Sequence, residues 1–214
     1  MSILKIAAEF IGTTFLLMAI VGAGFMAENL TDVVAIQLIM NAMSAALMLF
    51  VIISLFAEIS GAHFNPLVTL YQLYRGEISA SIAASYVIAQ ALGALLGTVL
   101  ANLMFAAPAV EISQTNRSSL GLFLAEIVAT FGLLLVIGLK PNQSRFLVPA
   151  WIASAYFFTS STSFANPAVT FGRVFTDSFA GIAPGSVLGF LGAQVIALMF
   201  VALILPRLNS QITK

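Results

Sequence analysis

The 214-residue chain has no cysteine, one histidine, one tryptophan and little charge, with Asp, Glu, Lys and Arg together at 7%. Without cysteine there are no disulfides, thiolate metal sites or thiol nucleophiles. His63 alone cannot build a multi-histidine metal site, so neither metal nor cofactor is expected. With no carboxylate cluster beside it, an enzyme with a catalytic residue is not expected either. Net charge is zero, from 8 basic and 8 acidic residues, which leaves no basic face for nucleic acid. A soluble domain carries about 25% charged residues. A chain this poor in charge is not solvated in the ordinary way, and the lipid bilayer is its expected surroundings.

What the chain has is apolar length. It is 61% hydrophobic, with a mean hydropathy of +1.09. Hydrophobic runs predict spans near 4–25, 33–57, 80–105, 120–139, 146–162 and 184–205. The first run follows a single Lys5 as a signal peptide does, but it contains Glu9 and no small-x-small cleavage context follows it. It is read as a retained first span.

Two further stretches, 59–76 and 163–182, are too apolar for ordinary loops and too short to span. Each contains Asn-Pro followed by an apolar residue, Val and Thr: Asn65-Pro66-Leu67-Val68-Thr69 and Asn166-Pro167-Ala168-Val169-Thr170. Asn is a favoured N-cap, and Pro loses nothing at the first helical position. Two half-helices of about 10 residues each, end to end, would cover about 30 Å, the thickness of the hydrocarbon core. Their starts, facing each other, would make the centre electropositive and repel cations.

Basic residues orient the spans. Lys5, Arg75, Lys140, Arg145, Arg207 and Lys214 fall on one side, Arg117 and Arg173 on the other, so both termini are expected in the cytoplasm. The two Asn-Pro stretches then enter from opposite sides, as an inverted repeat requires. Other pairs repeat in the same order. Ala8-Glu9 with Thr13 matches Ala125-Glu126 with Thr130; Gln90 matches Gln194; Tyr86 and Phe190 each lie four residues before the Gln. The chain reads as one domain, 1–214, with repeats near 1–106 and 120–214 and a linker near 107–119. Glu9 and Glu126 are costly in a membrane and should face protein, either relaying protons or ions or accepting hydrogen bonds from re-entrant backbone; their duplication with a Thr four residues on favours the second. Gln90 and Gln194 are expected to bond between helices. His63 is expected to bond within its loop or to line a pore. Gly93, Ala94, Gly97, Gly189, Gly192 and Ala193 predict close helix packing.

Together these residues closely resemble the aquaporin (major intrinsic protein) superfamily over nearly the whole chain. The resemblance implies an all-α membrane protein with six transmembrane helices and two re-entrant half-helices. It implies a passive channel, a homotetramer and an inner-membrane location, with the pore midpoint at Asn65, Pro66, Leu67, Asn166, Pro167 and Ala168. Many members carry Arg directly after the second Asn-Pro-Ala; here it is Val169. The family's other filter positions fall on Ala45, Ser154 and Ser163, or within one residue of them for the two in spans. That implies a wide, uncharged filter without rings, for water and small neutral solutes: glycerol-like polyols and arsenite-type metalloid hydroxides, as in a bacterial subgroup with Val at this place. Leu67 replaces the usual Ala and is expected to alter midpoint packing or narrow the centre. An ion-coupled secondary transporter, which also uses inverted repeats and broken helices, is the competing class.

Overall fold

The computed structural model describes the backbone of residues 2–212 and the side chains of residues 2–207, so Lys214, counted above, lies outside the described residues. Eight α-helices follow one another: α1 (Ile3–Leu30), α2 (Val34–Ser60), α3 (Pro66–Tyr74), α4 (Ala80–Met104), α5 (Leu120–Leu139), α6 (Ser144–Phe158), α7 (Pro167–Gly172) and α8 (Pro184–Ile212). No strand occurs among the described residues. The order long, long, short, long occurs twice, apart from the shorter α6. In the first half α1 packs on α2 and α4; in the second α5 packs on α6 and α8. The halves join through α2 against α6. Each short helix also crosses between halves, α3 onto α8 and α7 onto α4.

Five helices, α1, α2, α4, α5 and α8, are long and apolar enough to cross a bilayer. Their outward faces keep large apolar side chains exposed, among them Leu47, Leu55, Leu92, Leu188 and Leu203. In water that surface would be costly; against lipid it is matched.

The fifth predicted span differs. The hydrophobic run predicts it over 146–162, but α6 stops at Phe158 after 15 residues. At 1.5 Å per residue that is about 22 Å, short of the roughly 30 Å core. The chain breaks where Thr159-Ser160-Ser161-Thr162-Ser163 begins. Short hydroxyl side chains compete for backbone groups and so end helices. The Thr159 hydroxyl takes the Ala155 carbonyl at 2.6 Å, and Ser161 Oγ accepts from the Ser163 N–H at 3.3 Å.

Glycine permits the closest helix contact. A Cβ at Gly93 or Gly97 would collide with the carbonyls of Phe10 or Thr14, so α4 lies against the backbone of α1. The expectation fails in α8 for two glycines, where Gly189 has open space and Gly192 meets only the Phe123 ring at 3.8 Å. The stretch expected as a linker is also more ordered than a tether. The Ser113 N–H donates to Val174 O at 2.9 Å and the Ala183 N–H to Thr115 O at 2.8 Å, so 111–115 lies along the segment after α7.

Candidate functional site: a cavity between two half-helices

Asn65 and Asn166 cap α3 and α7 in extended conformation, with Pro66 and Pro167 at the first helical position. Asn65 Oδ1 accepts from the Leu67 N–H at 2.9 Å, and Asn166 Oδ1 from the Ala168 N–H at 2.9 Å. The other end of each amide reaches across. Asn65 Nδ2 donates to Ala165 O and Asn166 Nδ2 to Phe64 O, both at 2.8 Å. Each amide group has two N–H donors. One N–H of each Asn ties the two loops together, and the other remains for the cavity that both residues line.

The loops before the Asn residues share one unusual backbone. Ala62 and Phe64 in the first, Ser163 and Ala165 in the second, have φ of 52°, 48°, 50° and 48°. For non-glycine residues such φ values cost about 1–3 kcal/mol each and persist only when neighbours over-determine them. Here buried carboxylates supply the neighbours. Glu9 Oε1 accepts from the His63 N–H at 2.9 Å and Ser60 Oγ at 2.6 Å; Oε2 accepts from the Phe64 N–H at 2.7 Å and Gln90 Nε2 at 2.8 Å. Glu126 does the same with the Ala165 N–H and with Gln194 Nε2 at 2.9 Å. Each Gln also donates at 3.0 Å to the Thr of its motif, Thr69 or Thr170. All four side chains have no measurable exposure. The carboxylates hold the re-entrant backbone and do not line the cavity.

Aromatic rings repeat too. His63 packs edge-on to Tyr86 with centroids 5.3 Å apart, and Phe164, two residues before its Asn, packs on Phe190 at 4.8 Å. His63 Nδ1 lies 3.1 Å from Thr69 Oγ1. The ring therefore bonds to the half-helix that follows its loop, rather than within the loop, and lines the cavity as well.

The cavity holds about 540 Å³. Its wall includes Glu58, Asn142 and Arg145, the motif residues Asn65, Val68, Asn166 and Val169, and Tyr156, Ser163 and Phe164. Three of the four expected filter residues, Ala45, Ser163 and Val169, lie on its wall and are buried. Ser154 does not: it is exposed on the far face of α6, and the wall is built by Val148, Ile152 and Tyr156, four residues apart. Counting back from Asn166 placed Ser154 inward. The 12-residue count spans the irregular 159–165 segment, where helical periodicity no longer fixes the facing. The expected absence of rings fails with it, since Tyr156 and Phe164 face the cavity. Leu67 and Ala168 are buried beside the caps, while the wall there is Val68 and Val169; Leu67 thus turns away from the centre and does not narrow it. The Ser163 hydroxyl is buried on this wall with no protein hydrogen-bond partner.

The sequence model of the family described as Major intrinsic protein matches residues 1–160. The chain is similar to the aquaglyceroporin AqpS of Rhizobium meliloti (strain 1021), 42% identical over 196 residues, covering 90% of this chain and 84% of that one. It is similar to aquaporin TIP1-2 of Zea mays, 32% identical over 183 residues, covering 77% and 71%. Among solved structures, the aquaglyceroporin from Plasmodium falciparum superposes with a TM-score of 0.71 at 21% identity, over 94% of this chain and 95% of that one.

Proposed function

The chain belongs to the major intrinsic protein family, and on that premise we propose that it is a passive channel for water and small, neutral, hydroxyl-bearing solutes. The observation that carries the reading is the cavity running between two half-helix N-termini, with a free Asn N–H from each side and the unpartnered Ser163 hydroxyl on its wall. The helix starts present partial positive charge to the centre and oppose cations, hydronium included. Solutes with several hydroxyls and an apolar edge suit a wall that sets Ser163 against Tyr156, Phe164 and Val169. Glycerol-like polyols fit this description, and so do arsenite-type metalloid hydroxides, which are neutral at pH 7. The 42% identity to an aquaglyceroporin supports the same class.

We assign the filter to Ala45, Ser163 and Val169, with Tyr156 rather than Ser154 contributed by α6. The end of the cavity at Glu58 and Arg145 is the cytoplasmic one, with both chain termini on that side of an inner membrane, as the basic residues argue. The exposed apolar faces of the long helices suit both lipid and the neighbouring subunits of a homotetramer. A transporter reading lacks support in the same geometry, because Glu9 and Glu126, the acids buried in the spans, are fastened to loop backbone.

Stopped-flow light scattering on proteoliposomes, comparing water, glycerol, urea and arsenite with ion conductance as control, tests the reading. Non-saturating fluxes of water and polyol without ion current are expected. Saturable uptake driven by a proton or sodium gradient would replace the channel with a transporter.

A further inference from the structure

Resting on that channel reading, we infer that Arg173 is a selectivity-determining residue at the outer end of the pathway, supplying one turn further out the positive charge that position 169 lacks. The repeat carries the geometry. It relates Asn65 to Asn166, Val68 to Val169 and Gln72 to Arg173. Asn65, Val68 and Gln72 line the cavity along one face of α3. Asn166 and Val169 line it along the matching face of α7. The next position on that face is Arg173, just past the residues that line the cavity, where α7 runs on into a single 3-10 turn, Arg173–Phe175. It stands about 6 Å, just over one helical turn, beyond Val169.

The side chain supports the placement. Arg173 is 2% exposed, and its guanidinium carbon sits 3.5 Å from the centre of the Phe164 ring, itself part of the cavity wall. The ring fixes the cation by its quadrupole, and Nε donates to the Ala180 carbonyl. Nη1 is buried without a protein partner, and no acidic side chain among the described residues pairs with the group. A buried cation with an unspent N–H is expensive unless an oxygen comes to it. Arg117 behaves differently. It lies 5.3 Å from the same ring, but its Nε and Nη2 are spent on Gly181 O at 2.8 Å and Phe179 O at 3.1 Å. Arg117 braces the 179–181 segment, whereas Arg173 retains a donor for the oxygen of water or of a hydroxyl-bearing solute and repels cations at the same point.

Because the chain has no cysteine, Arg173→Cys introduces a single thiol. Proton leak and water flux of proteoliposomes are measured for wild type, for R173C, and for R173C treated with an ethylammonium or a methyl thiosulfonate. Leak through R173C should rise roughly tenfold, the scale of one unit charge acting across several ångströms of partly aqueous medium. The ethylammonium adduct should suppress it and the methyl adduct should not, with water flux retained. An unchanged leak, or equal action of both reagents, overturns the inference. If R173C yields no folded channel, R173Q and R173K decide: leak through R173Q but not R173K sustains the charge role, and equal loss of all flux in both reduces Arg173 to a structural brace. Wild-type protein that fails to raise water flux above empty vesicles sinks the channel reading itself. Normal wild-type flux with an indifferent R173C sinks only this inference.

Discussion

Asn65 and Asn166 each hold the loop that carries the other. Asn65 Nδ2 donates to the carbonyl of Ala165, the residue before Asn166, and Asn166 Nδ2 to the carbonyl of Phe64, the residue before Asn65, both at 2.8 Å. The caps at the two helix starts are thus one cross-linked unit at the centre of the cavity. Neither amide is simply a free donor waiting for solute.

Asn65→Ala should destabilise the fold by about 1–3 kcal/mol, because it leaves the Leu67 N–H and the Ala165 carbonyl buried without partners. Asn166→Ala should do the same from the other side. The double variant should cost less than the sum, since both act on one unit. Unfolding of the detergent-solubilised protein measures this; strict additivity would show the two caps to be independent.

Glu9→Gln should be more disruptive than Glu126→Gln. Glu9 uses both oxygens, for Ser60, His63, Phe64 and Gln90, so an amide there must point an N–H at another donor. Breaking charge-assisted buried bonds costs about 1.5–3 kcal/mol each. The strained backbone at Ala62 and Phe64 should loosen as a result. Hydrogen exchange at the His63 and Phe64 amides reads this out; protection equal to wild type would separate Glu9 from the loop.

Val169→Arg should cut glycerol flux at least about tenfold, equivalent to about 1.4 kcal/mol of barrier, while water flux falls far less. Val169 lies on the wall beside Asn166, and a guanidinium there adds bulk and charge where a three-carbon solute needs width. Equal loss of both fluxes in the swelling assay would mean that residue 169 is not at the narrowest point.

Substitutions at positions 154 and 45 should separate sharply. Ser154→Phe projects from the exposed face of α6 and should leave flux within about twofold, as surface changes leave stability within about 0.5 kcal/mol. Ala45→Phe, on the cavity wall and 1% exposed, should block polyols. Glycerol flux through S154F reduced as much as through A45F would return Ser154 to the filter.

The sequence by itself determined the architecture. Long apolar runs with almost no charge have one favourable surrounding, and Asn-Pro at matching places marks two helix starts whatever lies around them. The order Glu, Asn-Pro and Gln recurs along the chain, and in each half the Glu accepts from the Gln amide and from the N–H of the residue before the Asn. Sequence spacing loses its hold across irregular backbone. Helical counting put Ser154 inward, yet the hydroxyl-rich break after Phe158 removes the periodicity on which counting depends, and Tyr156 takes the wall. Nor does any spacing in one dimension bring Asn65 to Ala165 or the guanidinium of Arg173 to the Phe164 ring. Those contacts join segments from opposite halves or from either side of a half-helix. Local propensity sets each piece, but only tertiary packing sets the angle at which two loops meet, and with it what the cavity wall presents.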